Sequence, residues 1–308
     1  MKTRSSISLL LLTLAASATA FAANGTFNRT LTVSGPPTVS IATGSGYLHI
    51  TAGSASEVRI QAKVSTENGW SFGLHGSENE RVQQILSNPP IVQNGNAITI
   101  GATNGNSSDL LRNIQIDYDV TLPAATTLKA LTGSGDIQIA HINSVVYVQT
   151  GSGDIQLNDI GPAPHVGTGS GSIRAEGVHG AASLETGSGD IELQQQAPGD
   201  VKAQTGSGSL RLHGVNGALR AGTGSGDVEI DGNPTSDWRL STGSGTVRVG
   251  LNPSAHYTVN ASTSSGDIHV GQHITLQESL DKQHIVGTVN GGGPTLRITT
   301  SSGDIDLR

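Results

Sequence analysis

The sequence predicts an all-β fold, a single-stack β-solenoid. Three observations predict it. A motif, Thr-Gly-Ser-Gly-Asp-Ile and close variants, returns about every 18 residues; apolar and polar residues alternate after each copy; and 42 of 308 residues are glycine while only 3% are aromatic. Few large side chains are available to fill a broad core. A solenoid needs only a thin one, because each coil buries its apolar face against its neighbours.

The first residues read as an export signal. Lys2 and Arg4 precede the apolar run Ile7 to Ala16, and Ala18-Thr19-Ala20 or Ala20-Phe21-Ala22 supplies a small-residue cleavage site. That order describes a cleavable signal peptide over residues 1–22, and the run is too short to span a bilayer comfortably. The mature chain, 23–308, is expected to be periplasmic, extracellular or on the cell surface, with no transmembrane segment. Cleavage removes two cations and leaves 15 Lys+Arg against 24 Asp+Glu, a net charge of −9. An acidic chain without a basic cluster is not expected to hold nucleic acid. Cysteine is absent, so the fold has neither disulfides nor a thiol for a lipid anchor.

Residues 23–127 are less regular. An early motif copy, Thr43 to Ile50, and Glu57 to Val64 read as strands. Ser77-Glu78-Asn79-Glu80 forms a capping box ahead of a short helix through about Leu86, which Asn88-Pro89-Pro90 stops. Ile91 to Gln93 and Ala97 to Ile100 flank Asn94-Gly95-Asn96, a hairpin signal. Asn104 to Asp109 reads as loop and Ile114 to Leu122 as another strand. Together they read as the first coils of the solenoid with a helical insertion, not as a separate domain.

Residues 128–308 carry the regular repeats. Motif copies begin at Thr132, Thr150, Thr168, Thr186, Thr205, Thr223, Thr242, Thr263 and Thr300, in steps of 18, 18, 18, 19, 18, 19, 21 and 37 residues. The last step is about two periods, which places one degenerate coil around Val286 to Gly293. After each Thr the fifth and seventh positions are apolar (Ile155 and Leu157, Ile191 and Leu193) and the sixth is polar, the signature of a half-buried strand. A second strand precedes each Thr, with inward pairs such as Val146 and Val148, Val201 and Ala203, and Trp238 and Leu240. Gly-Ser-Gly between them is a corner. Each coil thus has two short strands, and stacked coils pair in parallel about 4.8 Å apart. The polar sixth position reads Arg174, Glu192, Arg211, Glu229, Arg248 from coil to coil. Alternating charge in one column specifies register.

Several residues are candidates for chemistry. Asp136, Asp154, Asp190, Asp227, Asp267 and Asp304 recur at the corners. Solenoids that bind calcium use Gly-Gly-x-Gly-x-Asp, whereas here Asp follows Gly directly and one acid per coil supplies few of the six to eight oxygens calcium takes. The expected role of these six is structural, accepting backbone N–H bonds. The Thr column could order water on a flat face, but parity places it inward with Val146 and Val148. A glycan-acting enzyme would need a cleft and a convergent set of groups. His269 and His273 lie four apart on a strand-to-turn path, without helical metal spacing. Tyr147, on an outward column, and Trp70, in the insertion, are the aromatics able to contact a partner, while Trp238 belongs to the core.

The recurring Thr-Gly-Ser-Gly-Asp-Ile, Asn88-Pro89-Pro90-Ile91, Tyr118-Asp119-Val120-Thr121-Leu122-Pro123 and Val289-Asn290-Gly291-Gly292-Gly293-Pro294 carry a resemblance. The chain resembles a bacterial family of adhesin-like, glycine-rich β-strand repeat proteins, a domain of unknown function similar to the head domain of autotransporter adhesins. The resemblance implies a β-helix-like fold and a cell-envelope location, and no catalytic residues. The expectation is an exported structural or binding protein, not an enzyme, with no cofactor or metal and with an envelope protein or glycan as partner. A calcium-binding solenoid and a glycan-acting β-helix enzyme are the alternatives.

Overall fold

A computed structural model describes residues 24–66, 76–101, 110–276 and 282–308. The signal peptide expected over 1–22, the loop 104–109 and Trp70 lie outside them. Strands make up almost all of the regular structure, with one helix, Gly76–Ser87, among the described residues. That helix is neither long nor apolar enough to cross a membrane.

Two long columns of parallel strands run through the molecule. The strands ahead of each corner form the leading sheet: Thr127–Ser134, Val146–Ser152, Ala163–Thr168, Ala182–Ser188, Val201–Ser207, Leu219–Ser225 and Trp238–Ser244 pair in turn. The strands after each corner form the trailing sheet, from Ile137–Ile142 through Ile155–Ile160, Ile173–His179, Ile191–Ala197, Leu210–Asn216 and Val228–Asn233 to Val247–Leu251. Like residues meet: Thr132 lies opposite Thr150, Thr168 opposite Thr186, and Thr223 opposite Thr242. Period-two alternation makes this possible, since one face of every strand is apolar. Ile155, Leu157, Ile191, Leu193, Leu210 and Leu212 are fully buried, and both sheets share one apolar core. Trp238 belongs to it, with its indole N–H donating to the Gly217 carbonyl at 2.9 Å.

The corners work because two coils approach there more closely than side chains permit. At Gly189 φ is +152°, and a Cβ would lie 2.1 Å from the Gly171 carbonyl oxygen of the preceding coil. The same approach recurs from corner to corner, so the motif keeps its glycine for contact as well as for conformation.

Near the C-terminus the stack departs from sequence order. Thr295–Ser302 lies between Trp238–Ser244 and Tyr257–Ser265, parallel to both. Ile305–Leu307 likewise lies between Val247–Leu251 and Ile268–Val270. The degenerate coil expected at 286–293 is not a coil. Instead His284–Val289 runs antiparallel to Tyr257–Ser265 on its outer edge and also pairs with Ile274–Leu276. Asn290, Gly291 and Gly292 then take φ of 50°, 89° and 84°. That run of left-handed residues turns the chain across the end of Tyr257–Ser265 and returns it on the inner side.

The N-terminal part also differs from the parallel coils expected. Asn24–Thr32, Glu57–Thr66 and Ile114–Leu122 pair antiparallel, and only the last continues in parallel to Leu48–Ala52. The helix packs on the first two of these strands and buries Val82 and Ile85. Phe27 meets Tyr118 edge to face at 6.4 Å beneath them. An open parallel edge would leave a row of unpaired backbone groups; an antiparallel cap with a helix covers that end. Ile91–Asn94 and Ala97–Gly101 form the expected hairpin, whose second strand extends the leading sheet beside Thr38–Ser45.

Candidate functional site

The recurring polar groups divide into those that the fold consumes and those that face outward. The corner aspartates are of the first kind. Asp136 accepts the N–H of Asp154 at 2.9 Å, Asp154 that of Ser172 at 2.8 Å, Asp190 that of Ser209 at 2.8 Å and Asp227 that of Thr246 at 2.9 Å. Asp304 accepts the N–H of Asp267 at 3.0 Å, which leaves Asp267 as the last corner of the stack. Each carboxylate thus satisfies a donor of the next coil. The threonines are buried, and their hydroxyls donate to corner carbonyls: Thr186 to Gly171 at 2.8 Å and Thr223 to Gly208 at 2.8 Å. The bonds follow spatial order at the C-terminus, where Thr300 reaches Gly245 at 3.3 Å and Thr263 reaches Gly303 at 3.0 Å.

Histidines meet aspartates at the looser turns. Asp159, in a left-handed conformation at φ 50°, is bonded at 3.0 Å by both His141 and His179. Those bonds, His141 first, hold its carboxyl below the usual range. His49 and Tyr47 converge on Asp119 at 2.9 and 3.2 Å, and His213 meets Asp231 at 2.5 Å. None of these sets, among the described residues, forms a cluster of three or more metal-ligating side chains suited to an ion. His269 is exposed on Ile268–Val270, and His273 precedes Ile274–Leu276.

The trailing sheet carries the alternating column. Arg174 lies opposite Glu192, Glu192 opposite Arg211, Arg211 opposite Glu229 and Glu229 opposite Arg248. The inserted C-terminal strand extends the alternation, since Asp306 and not His269 sits next to Arg248. Contacts are partly diagonal: Arg174 meets Glu192 and Glu176 at 2.5 Å, Arg211 leans to Asp190 at 3.9 Å and Arg248 to Asp227 at 3.3 Å. Glu192→Arg would stack three arginines in consecutive rungs. It is expected to lower the melting temperature by about 1–3 °C, less at high salt because exposed charges are screened. Adding Arg211→Glu should recover part of that loss, and full additivity of the two changes in thermal melts would show that the residues are not neighbours.

The leading sheet presents the opposite arrangement, which the sequence reading missed. Lys202, Arg220, Arg239 and Arg297 occupy one outward column in four consecutive rungs. All four are exposed. The expectation of no basic cluster is corrected here, because the cations are 18, 19 and 58 residues apart in sequence and meet only by stacking. Lys202 lies opposite Ser183, and beyond a register shift between Ala163 and Val166 the outward residues are His165, Tyr147 and Lys129. Tyr147 is half-buried: His165 stacks on one face with ring centroids 4.6 Å apart, and the Lys129 ammonium lies 5.4 Å from the ring centroid.

The family model described as Toastrack DUF4097 matches residues 46–308. No curated protein matches the chain. Solved structures that resemble it include a "putative cell adhesion protein" from Clostridium sporogenes, 15% identical over 92% of this chain and 99% of the other, TM-score 0.24. A "putative adhesin" from Bacteroides fragilis is 11% identical over 92% and 97%, TM-score 0.30. A "putative lipid binding protein" from Parabacteroides distasonis is 8% identical over 92% and 96%, TM-score 0.42.

Proposed function

The chain belongs to the Toastrack DUF4097 family, and on that premise we propose that it is an exported structural and binding protein of the cell envelope, adhesin-like and without catalytic activity. Its unit is a coil of about 18 residues with two short strands, stacked into a rigid rod. One observation carries this reading: corner carboxylates and interior threonine hydroxyls are bonded to the backbone of adjacent coils. The repeat spends its most regular polar groups on architecture, and what each coil offers outward is a pair of long, flat rows of side chains. Flat repeating rows suit extended partners, an envelope protein or a glycan, better than a small enclosed substrate.

The test is fractionation of cells expressing the full chain, followed by binding of the purified mature protein to isolated envelopes. Cleavage of the leader, recovery from the periplasm or surface, and saturable envelope binding are the expected results. Retention in the cytoplasm with the leader intact would overturn export, and absence of envelope binding would overturn the binding role. If the corner aspartates serve the backbone alone, EDTA should leave the melting temperature unchanged. A rise on adding millimolar Ca²⁺ would instead assign them a metal, since bound ions stabilise by mass action.

A further inference from the structure

Like charges directly opposite one another on a sheet are destabilising. The trailing sheet avoids this, alternating sign from Arg174 to Asp306, whereas the leading sheet sets Lys202, Arg220, Arg239 and Arg297 in successive rungs. Among the described residues, only Lys202 of the four has an ion pair, with Glu185 at 3.8 Å. Three acids border the row: Glu185 beside Lys202, Asp200, which accepts the N–H of Ala218 at 3.0 Å, and Asp237, which accepts that of Thr295 at 2.7 Å. Shallow grooves run between the cationic side chains, lined by Ala218, Arg220, Asp237, Arg239 and Arg297 in one place and by Ser183, Lys202 and Arg220 in another. The result is a row of four stacked cations, bordered by acids, on an acidic protein.

We propose that this line is a docking track for a linear acidic polysaccharide, a chain of sugars bearing carboxylates at regular intervals. The inference rests on the binding-protein reading above and names the chemistry of one partner. Three features select it. The row is one residue wide and repeats a cation about every 4.8 Å, which suits a thin chain with one acid per sugar unit. Its borders are acidic or small and hydroxylated: Glu185, Asp200 and Asp237, with Ser241 and Thr299 in the next outward column. Hydroxyls can bond sugar hydroxyls, while acids on both sides repel a broad anionic surface such as a membrane or a duplex, whose charges lie about 1.7 Å apart along its axis. Single-stranded nucleic acid calls for free aromatic faces on which bases stack. Tyr147, the aromatic of this column, has His165 against one face and the Lys129 ammonium 5.4 Å from its centroid.

The test is titration of the mature chain with polygalacturonate, with neutral dextran as control. Binding to polygalacturonate but not dextran, weakening steeply with salt, is expected. The triple variant Arg220→Gln, Arg239→Gln, Arg297→Gln should lose about tenfold or more in affinity, with its melting temperature unchanged or raised as like charges are relieved. Arg174→Gln, Arg211→Gln, Arg248→Gln on the other sheet should change affinity by less than about twofold. The salt dependence of the unaltered chain is a readout that needs no variant. No binding of polygalacturonate at low salt, or equal losses in the two variants, would overturn the track, and envelope binding measured separately would still report on the broader reading. Equal affinity for duplex DNA or for phosphatidylglycerol vesicles would overturn the choice of a thin glycan chain.

Discussion

Gly189→Ala is expected to destabilise the chain by on the order of 3–5 kcal/mol, and Gly44→Ala to change stability by less than about 0.5 kcal/mol. Gly189 is the second glycine of its Thr-Gly-Ser-Gly corner and Gly44 the first of an earlier copy, and their surroundings differ accordingly. At Gly189 φ is +152°, a region open essentially only to glycine, and the new methyl would sit 2.1 Å from the Gly171 oxygen and 2.6 Å from its carbon. Those atoms are backbone, held by the stack, and cannot swing aside. Gly44 has nothing within 4 Å among the described residues. Each coil touches chiefly its neighbours, so a break at Gly189 should uncouple the coils on either side. Urea denaturation followed by circular dichroism, with hydrogen exchange to locate the opening, measures both effects. Equal stability of the two variants would mean that the corners do not approach as closely as described.

Much of this was legible in the sequence because the signal is periodic. Ile191 and Leu193 alternate with Glu192, the pattern returns one coil later at Leu210 and Leu212, and the strand, its face and its register follow. Thr186 was placed inward by parity alone, and it is buried. Spacing, however, carries no direction. Glu57–Thr66 alternates as a parallel strand would, yet it runs antiparallel to both of its neighbours. The step of 37 residues before Thr300 fits two further coils as well as it fits a reversal and a return.

That ambiguity also hid the candidate site. Lys202, Arg220 and Arg239 each stand three residues ahead of a motif threonine, so a search of that column would have found them. In sequence order the next member is Asn260, which would end the row. The insertion of Thr295–Ser302 brings Arg297 against Arg239 and moves Asn260 one rung out. The same insertion sets Asp306 beside Arg248 on the other sheet. One topological event therefore lengthens the basic row and continues the alternating one. Tyr147 lies on the outward column expected, but its contacts with His165 and Lys129 come from the adjacent coil on either side.

Ending the chain at Pro294 is expected to unfold far more than the residues removed. In a stack that followed sequence order, losing the last coil would peel one layer from an end and bare the coil beneath. Here residues 295–308 lie inside the stack. Their removal takes away Leu296, Ile298, Ile305 and Leu307, all essentially inaccessible to solvent, and with them roughly 6–12 kcal/mol of apolar burial as an upper figure. It also leaves Trp238–Ser244 and Tyr257–Ser265 facing a gap where each had a full strand of hydrogen bonds. The antiparallel pair of Tyr257–Ser265 and His284–Val289 then has no layer to dock on, and two- or three-stranded pieces are marginal in water. Hydrogen exchange on the shortened chain should show protection lost across 257–265 and 284–289 and weakened across 238–251. Protection over 146–212, several coils away, should persist because coupling passes only between neighbours. Full protection at 257–265 would mean that Tyr257–Ser265 stacks directly on Trp238–Ser244, and with it would go the contact between Arg239 and Arg297 on which the length of the basic row depends.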